Sequence, residues 1–373
     1  MKVHIRILIA LLLIFTGYSI AYGNVGLDSE KWKKYLEERP IWGDLCKQAI
    51  SFVIDSNEAA SEECVRLADS LLKLPEPSVK GYFCAASALH LCNKSQRAIE
   101  ILELAVEKYP KENAPIGTVK PAKIIGRFWI AGIAMQIGDT QRAKETYETI
   151  LKEIEKTEYE GKVNDLNICR LYLAEIELNN LKRKDMALER LKTVKIDKKQ
   201  FKKPEEIYDI YKDWAEFQQL KISKGKSEAA RLLKEGYPGI TSAIPGFAAG
   251  LMQSTMMLGE PLSNYASERP NELNDFLKKR NIESPHSSIT RDLARLGYGF
   301  DYEYRKNYSK AEELYSSVFQ DDSFFSPAAG VSLARVKKAQ NKNEEANMAL
   351  DQVSKKFPGY GSVVRQVRQS WKK

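Results

Sequence analysis

The residue types that most often perform catalysis are few in this sequence, and their spacing does not assemble an active site. His90 is flanked by Leu89 and Leu91 in a predicted helix, and no local carboxylate could pair with it to make it a general base. Asp301 and Glu303 are two residues apart, so on one helix they point to different faces. No motif of serine hydrolases, zinc proteases or nucleotide-binding loops occurs. The sequence therefore predicts a protein that is not an enzyme and that uses no cofactor or metal.

The five cysteines could form disulfides, although their odd number leaves at least one thiol unpaired within the chain. Cys46 and Cys64 are equidistant from the turn signal at 55–57, and Cys64 and Cys84 are equidistant from the turn at 74–75. Either pair would lie level in two antiparallel helices. Cys84 and Cys92 share one predicted helix and would be about 12 Å apart, which is too far for a bond. We expect a Cys46–Cys64 or a Cys64–Cys84 disulfide, or else buried free thiols.

Residues 1–23 predict a secretory signal peptide. Lys2 and Arg6 supply the positive charge, Ile7–Phe15 is a nine-residue apolar run, and small residues at Ala21 and Gly23 suit a signal peptidase. The apolar run is too short to span about 30 Å of bilayer comfortably. We therefore expect cleavage near Gly23, an exported protein that is periplasmic or secreted, and no transmembrane span in the mature chain.

Composition and charge exclude several classes of protein. The chain is 43% hydrophobic and 10% aromatic, which is too rich in apolar side chains for a disordered protein. Its formal net charge of +8 is spread over 373 residues, and Lys and Glu alternate through most predicted helices. The local basic clusters lack interleaved aromatic residues, so we expect no nucleic-acid partner.

A helical apolar period and regularly placed prolines follow from residue 28 onward, which predicts an all-α protein. Several segments also superpose as helix pairs. Each has a small residue on its first helix and an alanine twelve residues later on its second, where the two helices would approach closely. These pairs are Ala86 and Ala98, Ala131 and Ala143, Gly299 and Ala311, and Ala334 and Ala346.

These segments resemble the tetratricopeptide repeat, whose pattern combines an aromatic residue, a small residue, a Tyr, an Ala and a closing Pro. The resemblance covers about residues 79 to 358, with gaps. The endings Tyr109-Pro110, Tyr237-Pro238 and Phe357-Pro358 are similar to repeats of exported bacterial envelope proteins. The main departure is the spacing of 45, 44, 43, 81 and 35 residues between the second-helix alanines, at positions Ala98, Ala143, Ala187, Ala230, Ala311 and Ala346.

The resemblance implies a right-handed α-solenoid of antiparallel helix pairs, a TPR-like superhelix. We expect a signal peptide at 1–23, an N-terminal helical cap pair at 24–78, TPR-like repeats at 79–238, a degenerate repeat or insertion at 239–290, and TPR-like repeats with a C-terminal capping helix at 291–373. The uncharged, Met-rich stretch 245–258 predicts a buried helix, and a second helix is expected near 270–281.

The family's concave face implies a set of partner-binding residues on the first helices. Carried over to this sequence, the set is Phe83, Phe128, Trp129, Met135, Tyr172, Asn179, Phe300 and Tyr304. For Phe83, Phe128 and Trp129 the alternative is that they pack in the core.

The function implied is that of an exported, non-enzymatic scaffold or adaptor. It would bind a protein or peptide in the cell envelope through an aromatic-lined concave face. The alternative is a carbohydrate- or small-ligand-binding protein of the envelope with aromatic platforms. A deep pocket around Trp214, Phe247 and Met252 would favour that alternative.

Overall fold

The computed structural model describes residues 29–112, 120–159, 162–195, 210–237, 288–321 and 323–372. Within these ranges every regular element is a helix and no residue belongs to a strand, so the predicted all-α class is confirmed. No helix found there is both long enough and apolar enough to cross a bilayer. The predicted signal peptide at 1–23 and the helices predicted near 245–258 and 270–281 lie outside the described residues.

Two compact units divide the chain between Gly126 and Arg127. The first contains α1 (Ser29–Asp55), α2 (Glu58–Leu72), α3 (Val79–Leu91) and α4 (Ser95–Lys108), and the division falls within α5 (Ala122–Gln136). These four helices pack consecutively, α1 on α2, α2 on α3 and α3 on α4, and α3 also packs on α1. The region of the predicted N-terminal pair thus holds α1 and α2, followed by the hairpin α3/α4.

The second unit continues the succession of helical hairpins. Its helices are α6 (Thr140–Glu155), α7 (Lys162–Glu175), α8 (Lys184–Lys192), α9 (Ile210–Lys224), α10 (Lys226–Glu235), α11 (Ser288–Tyr304), α12 (Tyr308–Gln320), α13 (Ser326–Ala339), α14 (Asn343–Lys356) and α15 (Gly361–Ser370). The helices from α6 to α10 pack consecutively, as do those from α11 to α15. This consecutive packing confirms a solenoid-like repeat architecture.

A residue with a positive φ lies at the turn between the two helices of each described hairpin. Every described residue with a positive φ lies at such a turn, namely Ser56, Asn93, Gly138, Lys182, Gly225, Lys306 and Asn341. In the α3/α4 turn, Lys94 N–H donates to the Leu89 carbonyl at 2.8 Å, and Lys342 N–H donates to that of Lys337 at 3.0 Å in α13/α14. These bonds satisfy carbonyls that the end of the first helix would otherwise leave unpaired.

The buried alanines have a fixed position relative to these turns. Five residues after the turn residue, an alanine with no exposed surface begins the contact between the two helices, at Ala98, Ala143, Ala187, Ala311 and Ala346. The hairpin α9/α10 differs, because α10 begins immediately after Gly225 and the turn is one residue shorter. Its buried alanine is Ala229, not the predicted Ala230, which is half-buried.

Close helix approach depends on the small first-helix residues. A Cβ added at Gly299 on α11 would lie 2.6 Å from the Tyr315 ring on α12, so only glycine allows this contact. Ala86, Ala131 and Ala334 occupy the corresponding positions with no exposed surface.

An aromatic cluster fixes α9 and α10 in the second unit. The Trp214 ring lies 5.3 Å from that of Phe325, and Phe324 contacts Phe217 at 5.7 Å and Tyr237 at 5.3 Å between ring centroids. The Trp214–Phe325 and Tyr237–Phe324 contacts are edge-to-face, and such contacts add to the free energy of apolar burial. The cluster therefore holds α9 against the segment that precedes α13, and α9 lines both clefts described below.

Candidate functional site

Two residues of the predicted groove belong to the core. Phe83 is 2% exposed and Trp129 is 5% exposed, so neither presents a surface to a partner and both take the core alternative. The cause is visible at Gly126, where a Cβ would lie 2.7 Å from Val106 and 3.4 Å from the Phe83 ring. The missing side chain lets α5 cover Phe83.

Phe128 and Tyr172 are brought together through a third ring. The Phe128 ring lies 6.3 Å from that of Tyr147, and Tyr147 stacks on Tyr172 at 5.4 Å with an interplanar angle of 10°. Tyr147 is buried, whereas Phe128 and Tyr172 are half-buried. The three rings connect α5, α6 and α7 in sequence.

The remaining predicted residues are at least partly accessible. Met135 and Phe300 are half-buried, Asn179 is exposed, and Tyr304 at the end of α11 is 65% exposed. Phe300 and Tyr304 belong to the α11/α12 hairpin.

The four cysteines of the first unit are buried free thiols in this structure, which is the third predicted alternative, and their contacts differ from both predicted pairings. The sulfur of Cys64 lies 3.2 Å from that of Cys92. A side-chain hydrogen bond to Cys84 raises the pKa of Cys46. The prediction treated α2 and α3 as simple hairpin partners. Instead α3 packs on both α1 and α2, so its two cysteines face different helices.

An open, largely apolar cleft lies between α7, α8 and α9, and Tyr172 forms part of its wall. Its volume of about 20 Å³ leaves room for roughly one water molecule beyond the open mouth. The lining residues are Ile168, Leu171, Tyr172, Ala174, Glu175, Leu178, Leu191, Tyr211, Trp214, Gln218 and Ile222. We call this feature the apolar cleft.

The wall of the apolar cleft contains a few polar groups. The buried indole Nε1 of Trp214 has no hydrogen-bond partner among the described residues. Glu175 and Gln218 are 3% and 8% exposed. Burial raises the pKa of Tyr172, and the Glu175 carboxylate raises it further, so its hydroxyl stays protonated and can donate a hydrogen bond at any physiological pH. The cleft wall thus offers donors within an apolar surface.

One turn of π-helix, Ile176–Asn180, extends α7 beside the apolar cleft and brings Leu178 into its lining. The following turn bond runs from Arg183 N–H to the Glu177 carbonyl at 2.7 Å, one residue longer than its counterparts in other hairpins. Such single-turn insertions occur frequently at functional sites. Sequence reasoning missed this turn because its residues have ordinary helical character.

A second, polar cleft lies on the neighbouring face of α9. It has a volume of about 380 Å³ and is lined by Phe217, Lys221, Lys226, Ala229, Arg291, Asp292, Arg295, Asp321 and Ser323. Four cations face two carboxylates. Arg295 lies 3.7 Å from Asp292 and 3.5 Å from Asp321, so one guanidinium bridges both acids. We call this feature the polar cleft.

Burial shifts the pKa values of two ionisable groups in the polar cleft. It raises the pKa of Asp292 to about 6, the nearby Asp321 adds to the rise, and a hydrogen bond from Ser323 and the charges of Arg295 and Arg291 oppose it. Burial also lowers the pKa of Lys221, an effect that Lys226 reinforces and Asp292 opposes. Perturbed groups that converge in a cleft are typical of binding sites.

A metal-binding cluster, or a histidine able to act as a general base, would indicate catalysis in the described parts of the chain. No group of three or more His, Cys, Asp or Glu side chains in these parts could hold a metal ion. His90 is buried, and its Nδ1 lies 2.9 Å from the Ser95 hydroxyl. This contact joins the two helices of the α3/α4 hairpin.

Comparisons with known proteins do not assign the chain to a family. No protein-family model matches it, and no curated protein gives a significant match.

Proposed function

We propose that the chain is an exported, non-enzymatic helical-repeat scaffold of the tetratricopeptide type that binds a protein or peptide partner in the cell envelope. The repeated hairpin turn, the buried alanine that follows it and the resemblance of the sequence support the family. The predicted signal peptide supports export. Helical-repeat proteins commonly bind extended partners on surfaces built from successive repeats.

The apolar cleft is the observation that carries the proposal. Tyr172, Tyr211 and Trp214 line it, and aromatic side chains are the commonest anchors of protein interfaces. The rest of the wall is largely aliphatic, so it suits contact with aliphatic side chains of a peptide. We therefore infer that the occupant is an extended peptide segment that lays aliphatic side chains across the mouth of the cleft.

A matched pair of substitutions tests this proposal. Ile222→Arg places a charge in the apolar cleft, whereas Ile137→Arg makes the same change at a residue that is 44% exposed and outside the cleft. Each purified protein is immobilised and exposed to an envelope fraction of the source organism, and the affinity of the retained protein is then measured. We expect wild type and Ile137→Arg to bind it equally and Ile222→Arg to bind at least about tenfold more weakly.

Equal binding by Ile222→Arg would contradict the role of the apolar cleft. Circular dichroism checks that each variant is folded. If Ile222→Arg does not fold, Tyr211→Ala is the second variant, because Tyr211 is half-buried and its truncation adds no charge.

A second candidate function, binding of a small anionic ligand, is favoured by the polar cleft. Its volume of about 380 Å³ lies in the range of small-molecule sites, and Lys and Arg are the usual ligands of carboxylate and phosphate groups. Protonation of Asp292 removes one negative charge, so anion affinity should rise as the pH falls through about 6.

Calorimetry with sulfate tests the second candidate, because the charge of sulfate is constant between pH 5 and pH 8. We expect tighter binding at pH 5, and loss of binding in the double variant Lys221→Ala/Arg291→Ala. The control is Lys355→Ala, at an exposed residue of α14 that does not line the cleft. Equal sulfate affinity in the double variant and the control would contradict this function.

A further inference from the structure

Four of the five cysteines converge in the core of the first unit, although they come from three helices. Cys46 lies on α1, Cys64 on α2, Cys84 on α3, and Cys92 caps the C-terminus of α3. Their exposed fractions are 0%, 0%, 7% and 1%. Cys169 on α7 belongs to the second unit and is also buried.

The four thiols are already arranged as two contacting pairs. The Cys92 thiol donates to the sulfur of Cys64 at 3.2 Å, about 1 Å longer than a disulfide bond. Cys46 and Cys84 form the second pair, because a side-chain hydrogen bond to Cys84 is the largest cause of the raised pKa of Cys46. The pairs are separated because Cys84 and Cys92 lie two turns apart on α3, so that one meets α1 and the other meets α2.

We propose that the native protein carries two disulfides, Cys46–Cys84 and Cys64–Cys92, and that Cys169 remains a free thiol. Both bonds tie α3 to the two helices before it. The proposal rests on the proposed export, because disulfides persist in oxidising compartments.

The chemistry is thiol–disulfide exchange with an external disulfide as the oxidant. The thiolate of one cysteine attacks the oxidant, forms a mixed disulfide and releases one reduced thiol. The second cysteine of the pair then attacks the mixed disulfide and releases the other. Each bond thus removes two protons and two electrons from the cysteine pair and reduces one disulfide of the oxidant.

The bonds must form before the core closes. In the folded, reduced protein the hydrogen bond from Cys92 and burial both raise the pKa of Cys64, and the bond to Cys84 and burial raise that of Cys46. A thiol held protonated and away from solvent is a poor nucleophile. We therefore expect oxidation during folding, followed by burial of the finished bonds.

A tetrathiolate metal site is the main competing use of four clustered cysteines. A structural zinc site needs four sulfurs around one point. The Cys64 and Cys92 sulfurs instead contact each other directly, and no set of three or more potential ligands in the described residues fits a metal. The arrangement favours two bonds over one metal.

The test maps the disulfides of the full chain. The protein is denatured, reduced, refolded in a buffer of oxidised and reduced glutathione, alkylated in denaturant without reduction, digested and analysed by mass spectrometry. We expect crosslinked peptides joining Cys46 to Cys84 and Cys64 to Cys92, with only Cys169 alkylated. Alkylation of all five cysteines, a Cys46–Cys64 or Cys64–Cys84 crosslink, or stoichiometric zinc that blocks oxidation would overturn the proposal.

Two variants and one expression experiment sharpen the result. Cys92→Ser should leave the Cys46–Cys84 crosslink intact and expose Cys64 to alkylation, while Cys169→Ser should retain both crosslinks. The pairing is measured in vitro and does not depend on export. The bonds could form on refolding but not when the chain is expressed with residues 1–23 in a bacterium that has a periplasm. That result would contradict the proposed export and leave the proposed cysteine pairing supported.

Discussion

At the residue scale, burial distinguishes aromatic side chains that hold the fold together from those available to a ligand. Trp129 is 5% exposed, whereas Tyr304 is 65% exposed. Both belong to the groove set that the sequence resemblance implies. Truncating them should therefore have very different consequences.

We expect Trp129→Ala to lower the free energy of unfolding by about 3–5 kcal/mol, because it removes a buried aromatic side chain and leaves a cavity. Tyr304→Ala should change it by less than about 0.5 kcal/mol. Urea denaturation followed by circular dichroism measures both values. A Trp129→Ala variant as stable as Tyr304→Ala would show that Trp129 is not a core residue and would support its predicted place in the groove.

Asp292, in the polar cleft, makes the stability of the folded protein depend on pH. Its pKa is near 3.8 when unfolded and about 6 when folded, so between these values the folded state binds the additional proton. The free energy of unfolding contributed by this group therefore falls as the pH rises from about 4 to about 6 and is constant above. The shift corresponds to at most about 3 kcal/mol.

Asp292→Asn should remove that dependence. We expect wild type and variant to be similarly stable near pH 4, and the variant to be more stable by about 1–3 kcal/mol at pH 8. Denaturation curves at several pH values measure the difference, and subtracting them cancels the other titrating groups. A variant that is less stable than wild type at pH 8 would show that the charged form is favoured.

The sequence could predict the buried alanines but not the polar cleft. Ala98 and Ala143 follow a local pattern of small and apolar residues that repeats along the chain. Lys221 and Asp321 are separated by about a hundred residues, and no periodicity connects them. Only the packing of α9 near the segment before α13 brings them into one cleft.

At the element scale, the hairpin turn is the feature that repeats most faithfully. The turn residue can be Ser, Asn, Gly or Lys, so no single residue type marks it in the sequence. The helical periods predicted the paired helices, and the missed one-residue shortening at Gly225 explains the error at Ala230. The π-helical turn after Glu175 was equally hidden, because its insertion depends on tertiary packing.

The left-handed conformation of Lys306 predicts a stabilising substitution. Its φ of 60° is unfavourable for a side chain with a Cβ, whereas glycine adopts it readily. We expect Lys306→Gly to raise the free energy of unfolding by about 0.5–1 kcal/mol. The control, Glu313→Gly in the exposed face of α12, should lower it by about 1 kcal/mol. Equal destabilisation by both in urea denaturation would contradict the turn geometry.

The two proposed disulfides should stabilise the packing of α1, α2 and α3. They close loops of 28 residues between Cys64 and Cys92 and 38 residues between Cys46 and Cys84. In the chain-entropy description each bond contributes about 3–4 kcal/mol by restricting the unfolded chain. Reduction should therefore lower the denaturation midpoint of the first unit, and Cys92→Ser should lose about half of the effect. A midpoint unaffected by reductant would contradict this prediction.

At the scale of the whole molecule, we expect the stability of each helix to depend mainly on the helices next to it. Many of the ion pairs join exposed residues three or four apart, such as Arg66 with Glu63 and Lys192 with Glu189, and such pairs contribute little. Apolar contact between successive helices supplies most of the free energy, and in helical-repeat proteins each repeat depends chiefly on its neighbours. A core defect should therefore weaken nearby helices first.

Hydrogen exchange measures this locality within the second unit. Leu350 on α14 is completely buried, and Leu350→Ala should lower its stability by about 2–5 kcal/mol. We expect faster exchange in α13 and α14, a smaller change in α12, and unchanged protection in α7 and α8. Met348→Ala on the same helix is the control, because Met348 is 60% exposed and its truncation leaves no cavity. An equal loss of protection from α7 to α14 would mean that the second unit unfolds as one cooperative body, and the repeat description of its energetics would be wrong.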